Sequence, residues 1–171
     1  GVQVPGLQAL VAIDRCTDAI VEGCVVRAQV LTDVAGCMVG RSTDVRISRC
    51  RVDNVRLGLW VASESTGLSI VENTFDALTD NKNDGGIVGL YVMDAQGPCR
   101  VEDNRIAGFV IGIALNKGLF GDAPFSLATG STIAGNYVVR VGAQMEAGTA
   151  KAFGIDVAAD DCVVTDFLLV Y

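Results

Sequence analysis

The chain has 171 residues, a formal net charge of −7 and a sequence pI of about 4.4; half its residues are apolar, 20 are glycine and 3 are proline. An acidic chain repels phosphate backbones, which argues against nucleic-acid binding, and the absence of histidine removes the commonest general base and metal ligand. No apolar run reaches the roughly 18 residues of a membrane-spanning helix. The six cysteines include no Cys-x-x-Cys pair and no histidine completes a zinc set, so neither a metal nor a cofactor is expected.

Two short patterns alternate along the chain. The first is apolar-x-apolar, usually after glycine, and opens at Val11-Ala12-Ile13. The second is apolar-x-x-(Asn or Cys)-x-apolar, and opens at Val21-x-x-Cys24-x-Val26. Cys37-Met38-Val39 follows, then Ile47-x-x-Cys50-x-Val52, Leu59-Trp60-Val61 and Ile70-x-x-Asn73-x-Phe75. An insertion at 76–86 precedes Leu90-Tyr91-Val92 and Val101-x-x-Asn104-x-Ile106. Next come Ile113-Ala114-Leu115, a second insertion at 117–130, and Ile133-x-x-Asn136-x-Val138. A third insertion at 139–153 leads to Ile155-Asp156-Val157 and a weaker last copy, Val163-x-x-Asp166-x-Leu168.

Alternation with period two marks strands with one buried face. Self-similarity at 23 to 32 residues marks stacked repeats. One repeat cannot close a core, whereas stacking buries a continuous apolar column. The expected fold is therefore all-β: a single-stranded right-handed parallel β-helix of about six coils, three short strands per coil, with 1–171 as one domain. At the corners, Asn tolerates left-handed backbone and its amide can bond the next amide in an asparagine ladder. Cys24 and Cys50 stand where later repeats have Asn. With Cys37 they are expected to be reduced and buried as small hydrophobes, although stacking also places Cys24 and Cys50 within disulfide reach.

The Gly-(Ile/Leu)-x-(Val/Leu) strands and the corners at Asn73, Asn104 and Asn136 resemble the pectate-lyase-like superfamily of parallel β-helices, over nearly the whole chain. The resemblance implies an extracellular or surface location, while free cysteines leave the cytoplasm open. It covers lyases, hydrolases, epimerases, adhesins and structural rods, so it does not select a function. The superfamily's polygalacturonase motifs Asn-Thr-Asp and Gly-His-Gly are absent.

Strand alternation turns Ala12, Met38, Trp60, Tyr91, Ala114 and Asp156 outward in one column. An exposed Trp60–Tyr91 pair beside polar loops would suit a sugar ring or an assembly surface. The expected ligand-binding residues are Trp60, Tyr91, Asp94, Asn116 and Asp156. Asp94 and Asp156 are the weak catalytic candidates, expected about 10 Å apart, at the edge of the separation used by inverting hydrolases. The leading expectation is a non-catalytic scaffold or binding module of a larger surface, fibre or phage-like protein, contacting polysaccharide. The alternative is a carbohydrate-active lyase or hydrolase. The chain opens with GVQVPG and stops on the apolar strand FLLVY with no capping helix recognisable at either end, so the expectation is either a segment of a longer protein or ends covered by partners, as flanking domains or a homo-oligomer.

Overall fold

The computed structural model describes residues 8–77, 86–93, 95–115, 129–139, 153–157, 161–166 and 168–170, and within them all side chains except those of 30–33, 62, 63, 153, 156 and 170. All its regular structure is β. In chain order the strands are β1 (Gln8–Asp14), β2 (Ile20–Glu22), β3 (Val25–Gly40), β4 (Arg46–Ser48), β5 (Arg51–Ser63) and β6 (Leu68–Val71). Then come β7 (Thr74–Asp76), β8 (Gly86–Val92), β9 (Cys99–Glu102), β10 (Arg105–Ala107) and β11 (Phe109–Leu115). The last five are β12 (Thr132–Ala134), β13 (Tyr137–Val139), β14 (Phe153–Val157), β15 (Val163–Thr165) and β16 (Leu168–Val170).

Every strand pairing is parallel. The strands form a ten-stranded sheet with the path β14-β11-β8-β5-β7-β10-β13-β16, to which β3 and β1 add through β5, and a six-stranded sheet β15-β12-β9-β6-β4-β2. This corrects the expected single-stranded β-helix with three short strands per coil. The eight-stranded path bends round into a nearly closed, barrel-like arrangement, and the second sheet lies beside it.

The physical reason lies in β3 and β5. Each runs without interruption through two segments that the sequence patterns treat as separate strands, 16 and 13 residues in all. No proline stops either one. In β5 the corner is absorbed inside the strand by Asn54, which takes a left-handed φ of 59° and donates from Nδ2 to the Ala28 carbonyl at 3.0 Å. β5 thus pairs with β7 through its first residues and with β8 through its last, and this joins the two stretches into one sheet.

A column of glycines permits the bend. A Cβ on Gly58 would lie 2.3 Å from the Gly89 carbonyl oxygen and 2.7 Å from Phe75. A Cβ on Gly89 would meet the Gly112 oxygen at 2.7 Å, and one on Gly112 the Gly154 oxygen at 2.4 Å. Side chains are excluded there because successive backbones approach too closely.

The main core is an apolar column in which Leu59, Leu90 and Ile113, or Ile47, Ile70, Val101 and Ile133, occupy matching positions in neighbouring strands. The last repeat sits one residue from the expected alignment. Ile133 pairs with Val164, not Val163, and Val138 with Leu169, not Leu168.

Candidate functional site

The corner column is the most regular polar feature of the molecule. The Asn73 backbone N–H and Nδ2 donate to Asn104 Oδ1 at 2.9 and 3.0 Å, and Asn104 repeats both bonds to Asn136 Oδ1 at 3.0 Å each. Each Nδ2 also reaches a strand carbonyl: Asn73 to Ile47, Asn104 to Ile70 and Asn136 to Val101, all at 2.9 Å. All three are 1% exposed, so their groups serve the fold and offer nothing to solvent. The left-handed residue at these corners is the one before the Asn. Glu72, Asp103 and Gly135 have φ of 57°, 53° and 63°, and Arg49, before Cys50, has 54°.

The expected sugar platform is corrected. Trp60 and Tyr91 are in register, but they are 3% and 0% exposed. They lie in a second apolar cluster with Leu57, Val88, Met93 and Ala114, separate from the one that holds Leu59, Val61, Leu90 and Val92. Alternation therefore separates the two faces, but the outer one is covered as well. Among the described residues, Trp60 Nε1 is buried without a hydrogen-bond partner. Asp94 and Asn116 lie outside the described residues, as does the Asp156 side chain; the Asp156 backbone pairs with Ala114. The three insertions at 76–86, 117–130 and 139–153 also fall largely outside them.

A different face is open. In β5, β7, β10 and β13 the residue just after each corner points outward, which aligns Arg51, Thr74, Arg105 and Tyr137 in parallel register. Arg51 and Arg105 are exposed, and Thr74 and Tyr137 half-buried. The Arg105 guanidinium lies over the Tyr137 ring, 5.1 Å from its centroid.

Two residues further along, Arg27, Asp53 and Asp76 form the adjoining column. Asp53 is 5% exposed and accepts from Arg27 Nε and Nη2 at 2.9 and 2.7 Å, and from Arg51 Nε at 2.9 Å to each oxygen. Arg51 also stands 3.8 Å from Asp76. The hydrogen bonds that Arg51 donates to Asp53, and the charge of that carboxylate, push the Arg51 pKa above the ordinary arginine value. The face is thus a rigid polar surface with one stacked aromatic. The available sequence signal was the residue following each corner Asn or Cys, which alternation turns outward; the corner itself draws the eye instead.

No family model, curated protein or solved structure matches this chain. Among the described residues no group of three His, Cys, Asp or Glu side chains could hold a metal ion, and no helix is long and apolar enough to cross a membrane.

Proposed function

We propose that the chain is a non-catalytic scaffold and binding module of a larger surface or fibre protein, and that it contacts carbohydrate through the outward face of β5, β7, β10 and β13. The observation that carries this reading is the Arg105–Tyr137 stack, open to solvent and continued by Thr74 and Arg51 on parallel-paired strands. An aromatic face packs against sugar C–H groups, while guanidinium and hydroxyl groups bond sugar hydroxyls. Successive strands about 4.8 Å apart present these groups at a regular spacing along an extended chain. Asp53 supports the surface by holding Arg27 and Arg51, and both of its oxygens are engaged in doing so.

A glycan array followed by calorimetry on the best binder tests this. Tyr137→Ala and Arg105→Ala should each weaken binding at least tenfold, with the far-ultraviolet dichroism unchanged. Absence of binding to every glycan, or equal binding by both variants, would refute the reading.

A further inference from the structure

We propose that Cys24 and Cys50 form a reversible disulfide site, which a small-molecule disulfide enters at Cys24. Val25 and Arg51 are parallel partners, and the Cys24 carbonyl accepts the Arg51 N–H at 2.8 Å, so the two cysteines hold the same corner position in adjacent strands. Adjacent strands lie about 4.8 Å apart, inside the roughly 4.4–6.8 Å that a disulfide spans between Cα atoms. The thiols also converge. Cys24 Sγ–H donates to the Glu22 carbonyl at 3.5 Å, and Cys50 Sγ lies 3.5 Å from the Val21 carbonyl, one residue away and in the same layer as Cys24.

Cys50 occupies the end of the asparagine column. Its N–H donates to Asn73 Oδ1 at 2.9 Å, and its thiol reaches back to the preceding strand as each Asn Nδ2 does. The corner thus closes in Asn-to-Asn hydrogen bonds in three repeats and in a pair of thiols in the first two. Among the described residues no other two cysteines share a position in adjacent strands: the Cys16 N–H faces Ser42 Oγ at 3.1 Å, and the Cys99 N–H faces Ser131 Oγ at 2.8 Å.

Accessibility sets the order of events. Cys24 is exposed and Cys50 is 2% exposed. The Cys24 thiolate attacks one sulfur of oxidised glutathione, forming a Cys24–glutathione disulfide and releasing one glutathione thiolate, which takes up a proton. Cys50 then gives up its proton and attacks Cys24 Sγ, releasing the second glutathione. In total two protein thiols are oxidised to one disulfide, and one glutathione disulfide is reduced to two thiols. Burial raises the Cys50 pKa, so the second step relies on proximity and quickens as pH rises. Burial also pushes the Cys37 thiol up to about 12, which keeps it protonated and out of the exchange.

The full chain, reduced and then incubated with oxidised glutathione at mildly alkaline pH, tests this by intact mass and peptide mapping. The expected product is lighter by two hydrogens, carries a Cys24–Cys50 cross-linked peptide, and returns to its starting mass with dithiothreitol. Cys50→Ser should stop at a glutathione adduct on Cys24, and Cys24→Ser should leave Cys50 unmodified. A wild-type protein that stays unmodified, retains glutathione on Cys24, or pairs Cys24 with a different cysteine would overturn the proposal.

Discussion

Asn104 Oδ1 accepts two hydrogen bonds from Asn73, one from its backbone N–H and one from Nδ2, at 2.9 and 3.0 Å. One buried amide therefore satisfies two donors of its neighbour and passes its own donors on to Asn136 and Ile70. Asn104→Leu strands both Asn73 donors in a dry interior. The expected cost is about 1–3 kcal/mol for the unsatisfied groups, read as a lowered urea midpoint with an unchanged slope.

Gly58 tests the bend in the larger sheet. A methyl group there would overlap the Gly89 carbonyl, which is backbone and cannot rotate away. Gly58→Ala should destabilise the protein by at least about 1–3 kcal/mol. Gly23 is the contrasting case, with nothing within 4 Å of a Cβ but a φ of 64°. Gly23→Ala should cost about 1 kcal/mol, from backbone strain alone. Thermal unfolding of both variants should rank them in that order.

Trp60 is the only tryptophan and is 3% exposed. Its fluorescence should peak at short wavelength and resist iodide quenching until the protein unfolds. Saccharide that binds at Tyr137 should leave that emission unchanged, because Trp60 belongs to the covered cluster on another part of the sheet. A quenchable, long-wavelength emission from the folded protein would contradict this placement.

Burial pushes the Cys37 and Cys99 thiols from the ordinary value of 9.0 up to about 12. The unfolded chain releases these protons near pH 9.0, while the folded chain keeps them. Their stabilising contribution is therefore complete below pH 9.0 and is lost as pH rises toward about 12. The urea midpoint should fall across that window. In a Cys37→Ala, Cys99→Ala double variant the midpoint should start lower, because two core thiols are lost, but its fall with pH should be shallower.

The Cys24 thiol should react promptly with a thiol reagent in the native protein, while Cys37, Cys50 and Cys99 react only on unfolding. This corrects the expectation that Cys24 is buried with the other two. Cys24 and Cys50 share a sequence pattern, but Cys24 lies between β2 and β3, and among the described residues β2 ends its sheet and pairs with β4 alone. Position in the stack, not the pattern, decides its exposure.

The sequence by itself determined which residues share a position. The period-two pattern and the spacing of the Asn and Cys corners follow from local backbone geometry, and Ile47, Ile70, Val101 and Ile133 do pair in that register. Tertiary structure decided the rest. Whether 51–53 and 57–63 are two strands or one depends on Asn54 taking a left-handed turn within β5 and on strands packing against the Gly58 column. Those are contacts between segments far apart in sequence, which no local pattern encodes, and they bring the strands into a nearly closed sheet. The faces were decided in the same way. Alternation separates Trp60 from Leu59 and Val61, but it says only which side of the strand a residue occupies. Whether that side meets solvent depends on what packs over it, so the Trp60–Tyr91 face is covered while the Arg105–Tyr137 face is open.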